Sequence, residues 1–326
     1  MRWPVALTVA LVVVGNWLAS AQTSTVSPPA GVATFKSGVD LVTVSAVVRD
    51  QKGRVVTDLT RADFELLDSG ERRPITDFRA ERAGVSVALL FDASGSMQVA
   101  AKIESARQAA RHVLAWMKAE QDELAIYSFD TGLRQLQPFA PYREDATLER
   151  SMVGIAPFGM TSLNDAVAAT AKQLAGRPYA HRAVVVLTDG VDNASKLSAP
   201  EVSGIASSID VPVYILAVVS PLDHSGAATA VSSERPLPVG DLADLARWTG
   251  GEFFVTSVPA QTSLAARQIL EELRHQYVLA FEPASRPGWH PLEVRAQHRR
   301  GQLVVRARSG YMAGQPRPNG FAPAGR

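Results

Sequence analysis

The chain contains no cysteine among its 326 residues. This absence excludes disulfide bonds, thiolate metal sites, a cysteine nucleophile and a lipid-modified N-terminal cysteine. An excess of charge of one sign is also missing, because 33 Lys and Arg residues face 32 Asp and Glu residues. The tight basic pairs are Arg72-Arg73 and Arg299-Arg300, and Glu71 directly precedes the first of them. The sequence therefore gives no sign of a nucleic-acid-binding surface.

Long apolar runs are equally scarce, and the one candidate lies at the N-terminus. Arg2 precedes the apolar run Val5–Val14, and Ala19-Ser20-Ala21 has the form of a signal-peptidase site. We therefore expect a secretory signal at residues 1–21 and a mature protein that is periplasmic, surface-associated or secreted. An uncleaved anchor is the alternative, but Gly15-Asn16 interrupts a run that is short for a membrane-spanning helix. After cleavage we expect no transmembrane anchor.

The remaining sequence divides by composition and periodicity. Residues 39–48 alternate and are rich in β-branched side chains, which is typical of a strand. From residue 84 onward, strand-like and helix-like segments alternate, and beyond residue 275 only strand patterns return. The expected regions are a linker (22–38), a small β region (39–80), an α/β domain (84–275), C-terminal β strands (276–311) and a disordered tail (312–326). The two β regions are expected to form one flanking module.

Within the α/β domain, the periodicity predicts a doubly wound, mostly parallel sheet with helices on both faces. The predicted strands are residues 85–91, 124–129, 183–187, 211–218 and 253–255. The predicted helices are residues 103–117, 163–174, 240–248 and 261–274. The connection at 220–239 is long for a compact domain, so we expect it to be either functional or disordered. It follows a parallel strand, which would place it at the carboxyl edge of the sheet.

Three loops of this domain carry oxygen-bearing side chains. The first predicted strand ends in Asp92-Ala93-Ser94-Gly95-Ser96-Met97, a later one ends in Thr188-Asp189-Gly190, and Gly159-Met160-Thr161 opens a predicted helix between them. Hard oxygen ligands clustered in this way are those that Mg²⁺ prefers. The sequence therefore predicts a divalent cation site.

This pattern resembles the metal-ion-dependent adhesion site (MIDAS) of von Willebrand factor type A domains, and the resemblance runs from about Val85 to Arg274. It implies that Ser94, Ser96 and Thr161 supply hydroxyl ligands and that Asp92 and Asp189 coordinate directly or through water. In the family, one coordination position stays open for a carboxylate of a partner protein. The implied ion is Mg²⁺, with Mn²⁺ or Ca²⁺ as alternatives, and the implied partner is a protein that presents Asp or Glu. The fuller layout, with Leu59–Phe64 before the site and Gln276-Tyr277-Val278-Leu279 after it, resembles a bacterial exported group known only as VWFA-related.

Two departures and several ordinary roles stand beside this resemblance. Met160 occupies a position where the family often has a second glycine, and Met97-Gln98-Val99 lacks the acids that build a neighbouring second ion site, so we expect a single ion. Ser96 is also suited to capping the following helix, and Asp92 or Asp189 alone would suit a helix or turn cap. Asp192-Asn193 is expected to form a turn.

Known enzyme patterns do not fit the same loops. Aspartyl-phosphate enzymes use Asp-x-Asp, whereas the third position here is Ser94. The sequence has no G-x-S-x-G nucleophile elbow and no H-E-x-x-H spacing, and no G-x-G-x-x-G follows the first strand. We therefore expect a non-enzymatic adhesion or scaffold module of unspecified oligomeric state. The alternative is a structural or assembly protein of the cell envelope that has a vestigial metal loop and binds through its β module.

Overall fold

The computed structural model describes residues 41–80, 82–190, 192–219, 239–297 and 301–314. The expected signal segment and linker lie outside these residues, as do positions 220–238 of the long connection and 315–326 of the expected tail. In the described part, no helix combines the length and the apolar character needed to cross a membrane.

The strands, in chain order, are β1 (Val42–Asp50), β2 (Phe64–Asp68), β3 (Glu71–Arg73), β4 (Ile75–Arg79), β5 (Val85–Asp92), β6 (Glu123–Phe129), β7 (Leu133–Pro141), β8 (His181–Thr188), β9 (Val213–Val218), β10 (Phe253–Thr256), β11 (Tyr277–Phe281), β12 (Gly288–Ala296), β13 (Leu303–Ala307) and β14 (Gly310–Ala313). The helices are α1 (Lys102–Ala115), α2 (Ala146–Val153), α3 (Leu163–Leu174), α4 (Ala199–Ser208), α5 (Val239–Thr249) and α6 (Pro259–Arg274). Short 3₁₀ segments span Arg61–Asp63 and Gly95–Ala101.

The central sheet has the strand order β10-β9-β8-β5-β6-β7. All its neighbours are parallel except β6 and β7, which are antiparallel. Strand β5 lies in the middle, and every one of its residues is buried, as expected for a parallel strand that is covered on both faces. The structure therefore confirms the predicted α/β class and the mostly parallel sheet.

Alternating side chains of β5 supply the two faces of this sheet. Val87 and Leu89 belong to an apolar cluster shared with α1 and α6, whereas Ala88 and Leu90 belong to a second cluster shared with α3, α4 and α5. This division follows from the two-residue period of a strand. The helices on both faces leave the carboxyl edge of the sheet free for loops.

Strands from both ends of the described chain form two further sheets, with orders β13-β1-β11-β4 and β14-β12-β2-β3. Their inward side chains share one core, which includes Val44, Leu66, Leu279 and Val294. Asp68 lies within this module, fully buried, and its carboxylate accepts from the Tyr311 hydroxyl at 3.0 Å. The two ends thus build a single flanking β module, as expected.

Several elements differ from the expected ones. The sequence analysis did not identify β3, β7, α2, α4 or β14. Strand β14 extends to Ala313, two residues into the segment that was expected to be a disordered tail, because Met312 pairs with Trp289 of β12. Strand β7 is half-exposed and contains Pro138, so neither a buried run nor a clean alternation marks it.

Candidate metal centre

The candidate metal site comprises Asp92, Ser94, Ser96, Thr161 and Asp189. Asp92 is the last residue of β5, and Asp189 directly follows β8. Strands β5 and β8 are hydrogen-bonded parallel neighbours, so the two carboxylates leave the same edge of the sheet side by side. Ser94 and Ser96 follow Asp92, and Thr161 lies two residues before α3.

Four of these residues are joined by a continuous chain of hydrogen bonds. The Ser94 amide donates to Asp92 Oδ1 at 2.8 Å. The Ser94 and Ser96 hydroxyl oxygens are 3.0 Å apart, and the Ser96 hydroxyl donates to Asp189 Oδ1 at 3.1 Å. Asp189 lies on a different loop from the other three residues, and the fold brings the two loops within hydrogen-bonding distance.

Thr161 is positioned through its main chain. Its amide donates to Asn193 Oδ1 at 2.8 Å, and its carbonyl accepts from the amides of Asn193 and Ala194, both at 3.0 Å. Thr161 is buried, and none of the hydrogen bonds that join the other four residues involves its hydroxyl. The segment expected only to form a turn therefore also holds the Thr161 loop beside the Asp189 loop.

The loops of Thr161 and Asp92 are clipped together by main-chain hydrogen bonds. The Gly95 amide donates to the Gly159 carbonyl at 3.0 Å, and the Phe158 amide donates to the Ala93 carbonyl at 2.7 Å. A Cβ atom at Gly95 would lie 3.3 Å from the Gly159 carbonyl oxygen, so the close approach favours glycine at that position. The three loops thus form one connected surface.

The pKa of the Asp92 carboxyl group is raised in the folded protein. Burial raises its pKa to about 6, and the neighbouring charge of Asp189 adds to this rise. Hydrogen bonds act in the opposite direction, including one of 2.6 Å from the Thr188 hydroxyl to Asp92 Oδ2. A cation beside the Asp92 carboxylate would favour its ionised form. The sequence analysis named Thr188 beside Asp189 but gave it no role, although its position at the end of β8 and next to Asp189 is a usable signal.

A positive charge already lies at this site. Lys102, the first residue of α1, places its ammonium 3.0 Å from Asp189 Oδ2, and the two side chains are 18% and 5% exposed. Sequence reasoning missed this residue, because no local pattern connects position 102 with position 189. The contact arises only when α1 and the loop after β8 meet at the sheet edge.

The segment before Lys102 is conformationally strained. Ala100 and Ala101 have φ values of 52° and 56°, in the left-handed region that costs a non-glycine residue roughly 1–2 kcal/mol. This turn separates Ser96 from α1. The turn therefore sets the position of Lys102 relative to the site.

Exposed apolar side chains lie on the loops that carry the candidate metal site. Val99, Phe158 and Met160 are 62%, 79% and 50% exposed, and we refer to them as the apolar rim. Val99 lies in the 3₁₀ segment after Ser96, and Phe158 and Met160 flank Gly159 in the loop before Thr161. An exposed cluster of this kind next to polar groups is typical of an interaction surface.

The donor chemistry of the site fits a hard divalent cation. Two carboxylates and three hydroxyls match the oxygen ligands and low carboxylate number that Mg²⁺ favours. In the described part of the chain, no group of three or more His, Cys, Asp or Glu side chains could hold a metal ion. Any ion at this site would therefore depend on the serine and threonine hydroxyls as well as on the two acids.

Comparison with known families identifies the domain that carries the site. Residues 87–191 match the family model of the von Willebrand factor type A domain. This stretch includes all five residues of the candidate metal site. No curated protein sequence matches the chain.

Several solved structures are similar to parts of the chain. The conserved hypothetical protein BatB from Bacteroides thetaiotaomicron is 18% identical, with 58% of this chain and 98% of that chain covered and a TM-score of 0.46. A von Willebrand factor type A protein from Catenulispora acidiphila is 12% identical over 86% of this chain and 76% of that chain, with a TM-score of 0.48. Proximal thread matrix protein 1 from the mussel byssus, with a zinc-occupied MIDAS motif, is 15% identical over 64% of this chain and 50% of that chain, with a TM-score of 0.46.

Proposed function

We propose that this chain, which carries a von Willebrand factor type A domain, is an exported, non-enzymatic module that binds a divalent cation and captures a partner protein through an Asp or Glu side chain. The observation that carries the proposal is the hydrogen-bonded chain from Asp92 through Ser94 and Ser96 to Asp189. A domain of this type indicates a protein-binding or adhesion module. Export rests on the signal expected at residues 1–21, and N-terminal sequencing of the mature protein tests it.

The residues have distinct proposed roles. Ser94, Ser96 and Thr161 would offer hydroxyl oxygens to the cation, and Asp92 and Asp189 would coordinate it directly or through water. We propose Mg²⁺ as the ion, with Mn²⁺ or Ca²⁺ as alternatives. When bound, the ion would supply an open coordination position for the partner's carboxylate. With only two acids in the site, an incoming carboxylate would experience a strong attraction.

The apolar rim supports protein capture at the same place. Phe158 and Met160 precede Thr161, so a partner whose acid reaches the site would also meet exposed apolar surface. Interfaces commonly combine a buried polar anchor with surrounding apolar contacts, and aromatic residues and Met are enriched in them. We therefore propose that the captured acid is flanked by hydrophobic residues.

The Lys102–Asp189 ion pair favours a second candidate function. The Lys102 ammonium neutralises the charge of Asp189 without any metal ion. In this alternative the metal loop is vestigial, and the protein acts as a structural or assembly component of the cell envelope that binds through its β module. The two candidates differ in whether partner binding requires a divalent cation.

Selection from a random peptide library on the immobilised protein tests the proposal. In Mg²⁺ we expect enriched peptides that contain Asp or Glu next to hydrophobic residues and that are released by EDTA. Ser96→Ala should abolish the enrichment, whereas Ser151→Ala in α2 should not. Enrichment that is unaffected by EDTA and by Ser96→Ala would contradict the proposal and favour the vestigial-site alternative.

A further inference from the structure

A groove of about 730 Å³ lies between α4 and the edge of the β module. Its volume is in the range of sites that bind ligands. We call it the α4 groove, and its apolar lining comprises Leu197, Ile205, Trp248, Trp289 and Met312. The proposed function does not use any of these residues.

The walls of the α4 groove are held in place by packing. A Cβ atom at Gly310 would lie 2.3 Å from Cζ2 of Trp289, so the indole ring rests directly on the Gly310 backbone. The ring nevertheless remains 42% exposed. The Trp248 carbonyl accepts hydrogen bonds from the Ser309 amide at 2.8 Å and from the Ser207 hydroxyl at 3.2 Å. These bonds link the Trp248 backbone to the residue before β14 and to α4. The groove thus presents two positioned tryptophans.

The floor of the groove is open. A Cβ atom at Gly204 of α4 would meet no other atom within 4 Å. A larger side chain at this position would therefore project into free space and not into the helix packing. Gly204 gives direct experimental access to the groove.

The chain itself contains a segment with matching chemistry. Residues 315–326 read Gln-Pro-Arg-Pro-Asn-Gly-Phe-Ala-Pro-Ala-Gly-Arg, with three prolines, one phenylalanine, two arginines and no acid. Proline-rich segments bind grooves lined by aromatic side chains, because their extended conformation has little entropy to lose. Twelve residues in such a conformation reach about 37 Å, at about 3.1 Å per residue. Helix α4, with ten residues, is only about 15 Å long.

The position of Met312 and the charge of residues 315–326 also fit the α4 groove. Met312 lines the groove and lies two residues before Gly314, the last described residue of the chain. Of the described lining residues, Glu201 alone is charged. Hydrogen bonds from the amide and hydroxyl of Ser198 hold the pKa of Glu201 below its usual range, so this acid stays negative opposite a segment that is only positive.

We infer that residues 315–326 bind in the α4 groove of their own chain, with proline and phenylalanine side chains against Trp248 and Trp289 and with Arg317 near Glu201. Attachment to the same chain gives a short segment an effective concentration in the millimolar range. A weak intrinsic affinity is then enough for occupancy. This inference does not depend on the cation site.

A fluorescence experiment on the full chain tests the inference. Because the chain has no cysteine, Ala324→Cys provides a unique attachment site for an oxazine dye, which tryptophan quenches at contact distance. We expect low fluorescence in this background and a several-fold increase when Gly204→Phe fills the groove. Gly204→Ala is the matched control and should leave the dye quenched. Arg317→Glu, which changes no described residue, should also increase the fluorescence.

The outcomes distinguish binding of the chain's own residues 315–326 from binding of a second copy of the protein. Quenching that Gly204→Phe and Arg317→Glu both relieve, and that is unchanged on dilution, supports binding within one chain. Equal fluorescence in all variants would overturn the inference. Quenching that is lost on dilution or with excess unlabelled protein would also overturn it, because the occupant would then belong to a second copy. Circular dichroism of each variant verifies that the protein is folded.

Discussion

Replacement of Lys102 by methionine tests whether its ammonium competes with a divalent cation for Asp189. The two charged groups are 3.0 Å apart and mostly buried. A hydrogen bond between charged groups contributes about 1.5–3 kcal/mol, and cation binding must offset this contribution. Because 1.4 kcal/mol corresponds to a factor of ten, Lys102→Met should tighten Mg²⁺ or Mn²⁺ binding by roughly 10- to 150-fold.

Isothermal titration calorimetry at constant ionic strength measures this change. Lys172→Met is the matched control, since Lys172 is exposed on α3 and its replacement removes the same charge from the protein. We expect the control to keep the wild-type affinity. Unchanged or weaker cation binding in Lys102→Met would refute the idea that the ammonium and the ion share one place.

Three further predictions concern the scaffold that positions the site. Glu272→Gln should lower the free energy of unfolding by about 3–5 kcal/mol in urea titrations, because fully buried Glu272 pairs with Arg306 of the β module. Burial lowers the pKa of His181 to about 4, so the unfolded chain takes up a proton near pH 6.5 that the folded protein refuses. The contribution of His181 to stability should therefore fall by up to about 3 kcal/mol between pH 6.5 and 4, and this part of the pH dependence should be absent in His181→Gln. Gly251→Ala should cost about 3 kcal/mol or more, because its Cβ would lie 1.9 Å from the Val213 carbonyl oxygen.

Matched controls accompany the Glu272 and Gly251 predictions. Exposed Glu271 forms an ion pair with Arg267 on the surface of α6, so Glu271→Gln should change stability by less than about 1 kcal/mol. A Cβ atom at Gly176 meets no atom within 4 Å, so Gly176→Ala should be tolerated. Equal effects in a variant and its control, or an acid-induced loss that His181→Gln leaves unchanged, would contradict the corresponding argument.

The parallel strands of the central sheet were predictable because they are covered on both faces. Continuous apolar runs such as Val85–Phe91 and Ala183–Leu187 end at polar residues, and this pattern alone places Asp92 and Asp189 at strand ends. That the two strands are neighbours follows from the topology of the whole sheet. The local pattern therefore located the loops. The expectation that their side chains converge came from the resemblance to a known family.

Helix α4 was not predicted, because its apolar periodicity is weak. Its sequence, APEVSGIASS, contains three serines and a glycine, which are poor helix formers, so apolar periodicity is weak. A usable signal was present nonetheless, because Ser198 and Glu201 form a capping box and Pro200 lies in the first turn. The capping pattern is more informative here than the periodicity.

Lys102 represents the part of the site that a single sequence does not reveal. It has no motif of its own, and its contact with Asp189 spans 87 positions in the chain. Long-range ion pairs of this kind depend on how α1 is placed after the strained turn at Ala100 and Ala101. The same is true of the α4 groove, whose walls come from α4, α5 and the β module.

Thermal unfolding with and without divalent cations tests the central claim most directly. A ligand that binds only the folded state stabilises it by about 2.7 kcal/mol when its concentration is 100 times the Kd. We predict that Mg²⁺ or Mn²⁺ raises the Tm of the wild-type protein relative to EDTA and that Asp189→Ala and Ser96→Ala abolish this rise. An identical Tm in millimolar Mg²⁺, Mn²⁺ and EDTA, in a folded wild-type protein, would contradict the proposal that these loops bind a cation.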